Sequence, residues 1–178
     1  MNDWSMEEVM GFLAPLIDDL DQIPRLAHKK YRTYDAGIRL EHDPRAQASC
    51  TYCHMVAEAE RRFLDRQRIV LKDLRGLKVW LIEDKAVLRW KKMDEDGRSR
   101  NYPTKQAQDF DRGHTLPGLP PKAARVSAGY LLDPTQTEFV RAQVARPRGK
   151  TVDWCVAIVP ASESTKRWVD VTRESWMG

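Results

Sequence analysis

The sequence predicts an α+β fold in which N-terminal helices pack on one face of a five-stranded, mostly antiparallel sheet. Apolar residues recur at helical spacing before Gly76, and the period changes from 3.6 to 2 residues after it. Turn-forming residues separate the alternating segments. The chain has 178 residues, of which 42% are hydrophobic and 31% are charged, so we expect a substantial core and a well-solvated surface.

The first helix is predicted to begin at Ser5, which forms a capping box with Glu8. Pro15 lies inside the helical pattern and predicts a kink or a break there. Six acidic and no basic residues occur in positions 1–21. The apolar face of this helix consists of Val9, Leu13, Leu16 and Leu20. Such an acidic amphipathic helix either closes the core or docks onto a partner chain.

Asp43 and Pro44 predict the start of a long helix that extends to about residue 68 and continues or restarts over 69–74. It carries a C-x-x-C-H motif at Cys50, Cys53 and His54. This spelling occurs in haem-attachment sites, and C-x-x-C alone occurs in zinc and redox sites. Haem attachment requires export, no leader is apparent, and a second ligand pair for zinc is missing. We expect the thiols to pack as small apolar side chains, with no cofactor and no metal, and the metal site remains an alternative.

Five strands are predicted where apolar and polar residues alternate, over 77–82, 86–91, 126–132, 140–144 and 152–158. Turns at 83–85 and 146–150 give two antiparallel hairpins. A short helix ending near Phe110 and a Gly/Pro-rich connection over 112–124 separate them.

The predicted organisation is an N-terminal helical segment (1–35), an α+β core domain (36–160) and a C-terminal tail (161–178). The tail contains Trp168 and Trp176, which are too apolar for a free terminus, so we expect it to dock or to bind another molecule. Together with the apolar face of the first helix, these tryptophans are the predicted partner-binding residues.

The net charge of +4 conceals an acidic end and a basic body, because residues 61–100 carry 13 Lys or Arg against 7 Asp or Glu. A basic face of this kind favours nucleic acid or an acidic partner. The predicted nucleic-acid-binding residues on the sheet and at the hairpin ends are Arg89, Lys91, Arg98, Arg100, Arg141, Arg146, Arg148 and Lys150. Trp80 shares a strand face with Lys78, where it would stack on a base if exposed.

No apolar run approaches the roughly 20 residues that span a bilayer, so no membrane contact is expected. An odd cysteine count without a secretory signal indicates reduced thiols in the cytoplasm. Phosphate-loop, dinucleotide, nucleophile-elbow and zinc-protease motifs are absent, so no catalytic residue is assigned.

Four segments resemble a small bacterial family of unknown chemistry. They are EHDPRA at 41–46, AEAERRF at 57–63, NYPTKQA at 101–107 and GYLLDP at 129–134, the last followed by Thr137 and Glu138. The resemblance covers residues 30–160. It implies a gene beside helix-turn-helix or metallopeptidase-like neighbours in toxin–antitoxin-like operons, and it assigns no catalytic residue.

These observations lead to three hypotheses. The first is a cytoplasmic bacterial binding protein that acts through a cognate protein partner, as a toxin–antitoxin or phage-defence component. The second is a nucleic-acid-binding or ribonuclease-like protein that uses the basic sheet face. The third is a metal-binding protein that uses the C-x-x-C-H motif. The oligomeric state is left open.

Overall fold

A computed structural model describes residues 3–99 and 104–173 of the chain. The helices are α1 (Met6–Leu13), α2 (Ile17–Arg32), α3 (Ala36–Glu41), α4 (Pro44–Phe63) and α5 (Lys105–Asp111). The strands are β1 (Ile69–Leu74), β2 (Leu77–Ile82), β3 (Ala86–Lys92), β4 (Ala124–Leu132), β5 (Phe139–Arg148), β6 (Thr151–Ile158) and β7 (Trp168–Asp170). Two residues of the predicted sites, Arg100 and Trp176, lie outside the described residues.

The helix starts predicted at Ser5 and Asp43 are confirmed, because capping side chains satisfy the free amides of the first turn. The Ser5 side chain accepts a hydrogen bond from the Glu8 amide, and the Glu8 carboxylate accepts one from the Ser5 amide. Asp43 caps α4 by accepting from the Ala46 amide at 2.7 Å. The predicted break at Pro15 is also confirmed, since Ala14–Leu16 form a 3₁₀ turn between α1 and α2.

The α+β class and the mostly antiparallel sheet are confirmed, but the prediction of five strands is wrong. Among the described residues the sheet has seven strands, in the order β1-β2-β3-β4-β5-β6-β7. The additional strands are β1, which the sequence suggested as a continuation of the long helix, and β7 in the C-terminal tail. Arg75 and Gly76 adopt positive φ angles of 54° and 91°, which form the tight hairpin that pairs β1 with β2.

One pairing of the sheet is parallel, that between β3 and β4. Parallel neighbours need a crossover connection, and here it consists of α5 and residues 112–123. The crossover lies on the face opposite the N-terminal helices, where Phe110, Leu116 and Leu119 pack with Val79 and Val87. The sheet is therefore covered on one face by α1, α2 and α4, and partly on the other by the crossover.

The apolar face of the first helices lies in the main core. Val9 and Leu13 are fully buried, and Leu16 and Leu20 are nearly so. They pack in the same cluster as Trp80, Leu88 and Tyr130 of the sheet. The prediction that these four residues bind a partner therefore needs correction, because the sheet of the same chain already covers them.

The C-terminal tail is partly ordered into the sheet. Trp168 begins β7, pairs with Ile158 of β6 and packs half-buried against the main core. The described part of the helical segment 1–35 shares that core with the sheet. Within residues 3–99 and 104–173, no helix has both the length and the apolar composition needed to cross a bilayer.

Candidate anion-binding pocket

Arg89 and Lys91 lie on the face of β3 that carries the crossover. Side chains alternate along a strand, so Leu88 and Trp90 point into the helix-covered core while Arg89 and Lys91 point away from it. Ser127 on β4 pairs with Arg89 and shares its face. The sheet thereby places two cations beside α5.

A pocket of about 320 Å³ lies between this face, α5, the loop after β3 and the β5–β6 turn. Among the described residues, five cationic and two acidic side chains line it: Arg89, Lys91, Arg98, Arg112, Lys150, Asp94 and Asp111. Ser99, Ser127 and Thr151 add hydroxyl groups. Cations outnumber acids here, so the pocket favours anions over cations. We refer to it as the basic pocket.

Arg89 is the buried centre of the basic pocket, with 3% of its surface exposed. Its Nε atom donates to Ser127 Oγ at 2.9 Å, and its Nη2 atom donates to Asp111 Oδ1. The guanidinium carbon lies 4.7 Å from the centre of the Phe110 ring, a cation–π contact. The third nitrogen, Nη1, is buried without a hydrogen-bond partner among the described residues. A buried charged donor left unused in this way is costly unless a ligand satisfies it.

The ion pair between Arg89 and Asp111 joins the sheet to the crossover helix. Burial lowers the pKa of Arg89 and raises the pKa of Asp111, and the attraction between the two opposes both shifts. Arginine stays protonated in proteins, so the pair is ionic. One of the positive charges of the pocket is thus neutralised internally.

Lys91 is the most perturbed lysine of the described residues. Burial, reinforced by the charge of Arg89, lowers the pKa of Lys91 to about 8, and Asp111 opposes this shift. Lys91 makes no salt bridge with the described residues. Its ammonium is therefore available to a ligand at neutral pH.

The rim of the basic pocket consists of Arg98, Arg112 and Lys150, all exposed and all without a salt bridge to the described residues. Asp94 Oδ1 accepts from the Arg98 amide at 2.9 Å, which orders the loop that carries Arg98. The Gly149 amide donates to the Asp111 carbonyl at 2.8 Å, which holds the β5–β6 turn against α5. Hydrogen bonds of the main chain therefore position the rim.

Three other predicted cations lie outside this group. Arg141 donates to Gln143 Oε1 at 3.0 Å, and Arg148 pairs with Asp153 at 3.2 Å. Arg146 lies on the helix-covered face, where it donates to the Trp4 carbonyl at 2.6 Å. Arg146 is two residues after Val144 on the same strand, so the alternation of side chains along β5 places it on that face. Arg89, Lys91, Arg98 and Lys150 are thus brought together, whereas these three are not.

Sequence reasoning missed Asp111, Arg112 and Ser127. Asp111 and Arg112 lie at the C-terminal end of the crossover helix. The sequence pattern that pointed to them was a short predicted helix between two strands. Trp80, offered as a stacking platform, is 1% exposed and lies in the core. The pocket therefore has no described aromatic side chain for a base to stack on.

A cleft of about 1060 Å³ adjoins the basic pocket, since Lys91 and Asp94 line both. Its cations and acids are equal in number among the described residues: Arg45, Lys91, Lys92 and Arg173 against Asp94, Glu95, Asp96 and Asp133. Arg173 is paired with Glu95 and lies 3.6 Å from Asp96. Unlike the basic pocket, this cleft carries no excess of positive charge.

The C-x-x-C-H motif lies on α4, away from the basic pocket. Cys53 is exposed, Cys50 is half-buried, and Cys155 is buried in the sheet. His54 Nε2 forms a hydrogen bond with the Tyr34 hydroxyl at 2.7 Å. Within the described parts of the chain, no three His, Cys, Asp or Glu residues are grouped so that they could hold a metal ion. The prediction that the thiols pack does not hold for Cys53, whose position on α4 faces solvent.

Comparison of the chain with protein-family models, curated proteins and solved structures gives no match. The resemblance of residues 30–160 to a small bacterial family stays a prediction.

Proposed function

We propose that this protein binds nucleic acid by taking a backbone phosphate into the basic pocket. The observation that carries the proposal is the Nη1 atom of Arg89, a buried cationic donor without a partner among the described residues. Phosphate oxygens are the acceptors that a guanidinium binds best, and both N–H groups of Nη1 are unused by the described residues. A bound phosphate would accept the hydrogen bonds that Arg89 Nη1 leaves unused, and the positive charge of Arg89 favours an anion in the pocket.

The charge distribution supports a chain of phosphates as the ligand. Arg98, Arg112 and Lys150 surround the opening and are not paired with described acids. A single small anion would be neutralised within the pocket and would leave these rim cations unused. A strand that continues from the pocket meets them, and its binding releases condensed counterions. Because the described lining offers no aromatic platform, recognition falls on phosphate and is independent of sequence.

We expect the triple variant Arg98→Ala, Arg112→Ala, Lys150→Ala to bind a labelled single-stranded oligonucleotide more weakly and with a flatter salt dependence. Each phosphate contact contributes about 0.7 to the slope of log K against log salt for single strands, so the slope should shrink by about 2. Fluorescence anisotropy at increasing NaCl concentration measures it.

The matched control removes the same charge elsewhere, as Lys29→Ala, Lys30→Ala, Lys122→Ala. These three lysines are exposed and lie outside the basic pocket. The control should retain the wild-type slope. Equal slopes for the two triple variants would show that net charge alone drives binding and would refute the pocket as the site.

A second candidate function is binding of a cognate protein partner, as in a toxin–antitoxin or phage-defence pair. The observation in its favour is α3, which has no buried residue and exposes 49% of Ile38 and 87% of Leu40. Two large apolar side chains exposed on one six-residue helix offer apolar surface to a partner chain.

For this second candidate we expect Ile38→Ser with Leu40→Ser to abolish co-purification of the partner from the native host, while nucleic-acid binding is unchanged. The control is Val140→Ser, which removes an apolar side chain of 50% exposure from β5. Retention of the same co-purifying protein by the double variant would exclude α3 as its docking site.

A further inference from the structure

We infer that the basic pocket selects a terminal phosphate, a phosphomonoester at the end of a strand, over an internal phosphodiester. This inference rests on the proposed function and names the part of the nucleic acid that enters the pocket.

The first reason is access to Arg89. Arg89 lines the basic pocket and is 3% exposed, so only a group that enters the pocket comes close to its buried Nη1 atom. An internal phosphate carries a nucleotide on each side, and both would have to enter with it. A terminal phosphate carries a nucleotide on one side only. At about 320 Å³ the pocket is at the small end of ligand sites, which favours the terminal group.

The second reason is charge. Asp111 is neutralised by Arg89, and the remaining lining cations are Lys91, Arg98, Arg112 and Lys150. Asp94 is the other acid of the lining, and its Oδ1 atom accepts from main-chain amides. A phosphomonoester carries a charge of about −1.5 to −2 at neutral pH, whereas a diester carries a single charge. The dianion is the better match to this excess.

The third reason is the asymmetry of the surroundings. On one side of Lys91 lies the larger cleft, in which four acids balance four cations among the described residues. On the other side lie Arg112 and Lys150, without described acid partners. A polyanion is attracted to the second side only. When a terminal phosphate occupies the pocket, the rest of the strand extends in one direction and can follow the basic side. When an internal phosphate occupies it, the strand must extend in two directions, and one of them runs along the neutral cleft.

The pH dependence of binding follows from the groups that face Lys91. On the pocket side these are Arg89 on the same strand, Asp111 and Arg112 on the crossover, Asp94 and Arg98 on the loop, and Lys150 on the β5–β6 turn. On the cleft side they are Arg45, Lys92, Glu95, Asp96, Asp133 and Arg173. Affinity should rise between about pH 5 and pH 7 as the phosphomonoester loses its second proton, whose pKa is about 6. It should fall above the Lys91 pKa of about 8, because the neutral amine no longer attracts the anion. A diester has no proton to lose in this range and shows the upper fall alone.

The test uses the full-length wild-type protein and one short single-stranded sequence with a 5′-phosphate, a 3′-phosphate or no terminal phosphate. We expect one or both phosphorylated strands to bind about ten- to a hundredfold more tightly than the unphosphorylated strand, the value of one charged hydrogen bond. Lys91→Met should remove most of this preference. Lys91→Arg should keep it and should abolish the fall above pH 8, because arginine stays charged.

Equal affinities for the three strands would overturn the inference and leave the proposed function standing. Absence of binding to any strand would overturn both. A phosphoserine peptide is the remaining probe, and tighter binding of that peptide than of every strand would also overturn both, because it would assign the pocket to a different macromolecule. The rim triple variant should weaken all three strands and should keep part of the preference for the phosphorylated strands, because Arg89 and Lys91 remain in the pocket. Complete loss of the preference in that variant would place the terminal phosphate at the rim and would count against the pocket.

Discussion

Asp111→Ala will lower the free energy of unfolding by about 3 kcal/mol. The substitution leaves the guanidinium of Arg89 buried at 3% exposure, with Ser127 as its remaining described hydrogen-bond partner. A buried charge without its counter-charge is among the costliest defects in a core. Chemical denaturation with urea measures the change, and an unchanged denaturant slope would show that the compactness of the folded state is retained.

Two variants make this prediction specific. Asp109 lies on the same helix and pairs with His114 at 3.1 Å, but 56% of that histidine side chain is exposed, so Asp109→Ala should cost less than about 1 kcal/mol. Replacing both members of the buried pair, as Arg89→Met with Asp111→Leu, should recover most of the stability and abolish anion binding. If Asp111→Ala is no more destabilising than Asp109→Ala, the ion pair does not stabilise the crossover.

Gly129→Ala will destabilise the protein by about 3 kcal/mol or more, the upper range for overpacking. A Cβ atom at this position would lie 1.7 Å from the Lys91 carbonyl oxygen on the neighbouring parallel strand. The obstacle is backbone rather than a flexible side chain, so β3 and β4 must separate locally. The same shift moves Lys91, and anion affinity should fall together with the melting temperature.

The control for Gly129 is Gly11, an exposed glycine of α1 with no described atom within 4 Å of an added Cβ. Gly11→Ala should stabilise the protein by about 0.5–1 kcal/mol, because alanine is the better helix former and restricts the unfolded chain. If the free energy of unfolding falls for Gly129→Ala and rises for Gly11→Ala, the loss at Gly129 is a steric effect and is not caused by the intrinsic conformational preference of alanine. A neutral Gly129→Ala would contradict the close approach of β3 and β4.

Local features of this fold were predictable because each depends on residues close in sequence. The capping box of Ser5 and Glu8 predicts α1, and Asp43 with Pro44 predicts α4. The alternation over 77–82 and 86–91 with a turn between predicts the β2–β3 hairpin, where Glu83 and Asp84 adopt φ angles of 51° and 57°. In each of these features the hydrogen-bond donors and acceptors lie within a few residues of one another in the sequence.

The missed strands depend on partners that sequence does not display. Ile69–Leu74 is apolar at positions that suit a helix as well as a strand, and pairing with β2 decides between them. Trp168–Asp170 is only three residues long and is a strand because β6 offers it an edge. The parallel pairing of β3 with β4 was likewise invisible, because it depends on where the crossover helix packs.

By itself the sequence determined the capped starts of α1 and α4, the two hairpins, and the presence of basic side chains on the strands. Only the tertiary structure decided which of those side chains meet. The crossover helix brings Asp111 and Arg112 to Arg89 and Lys91, whereas Arg146 lies on the helix-covered face and donates to the Trp4 carbonyl. The physical reason is range: caps and turns are satisfied within a few residues, whereas a buried charge must find its counter-charge across the sheet.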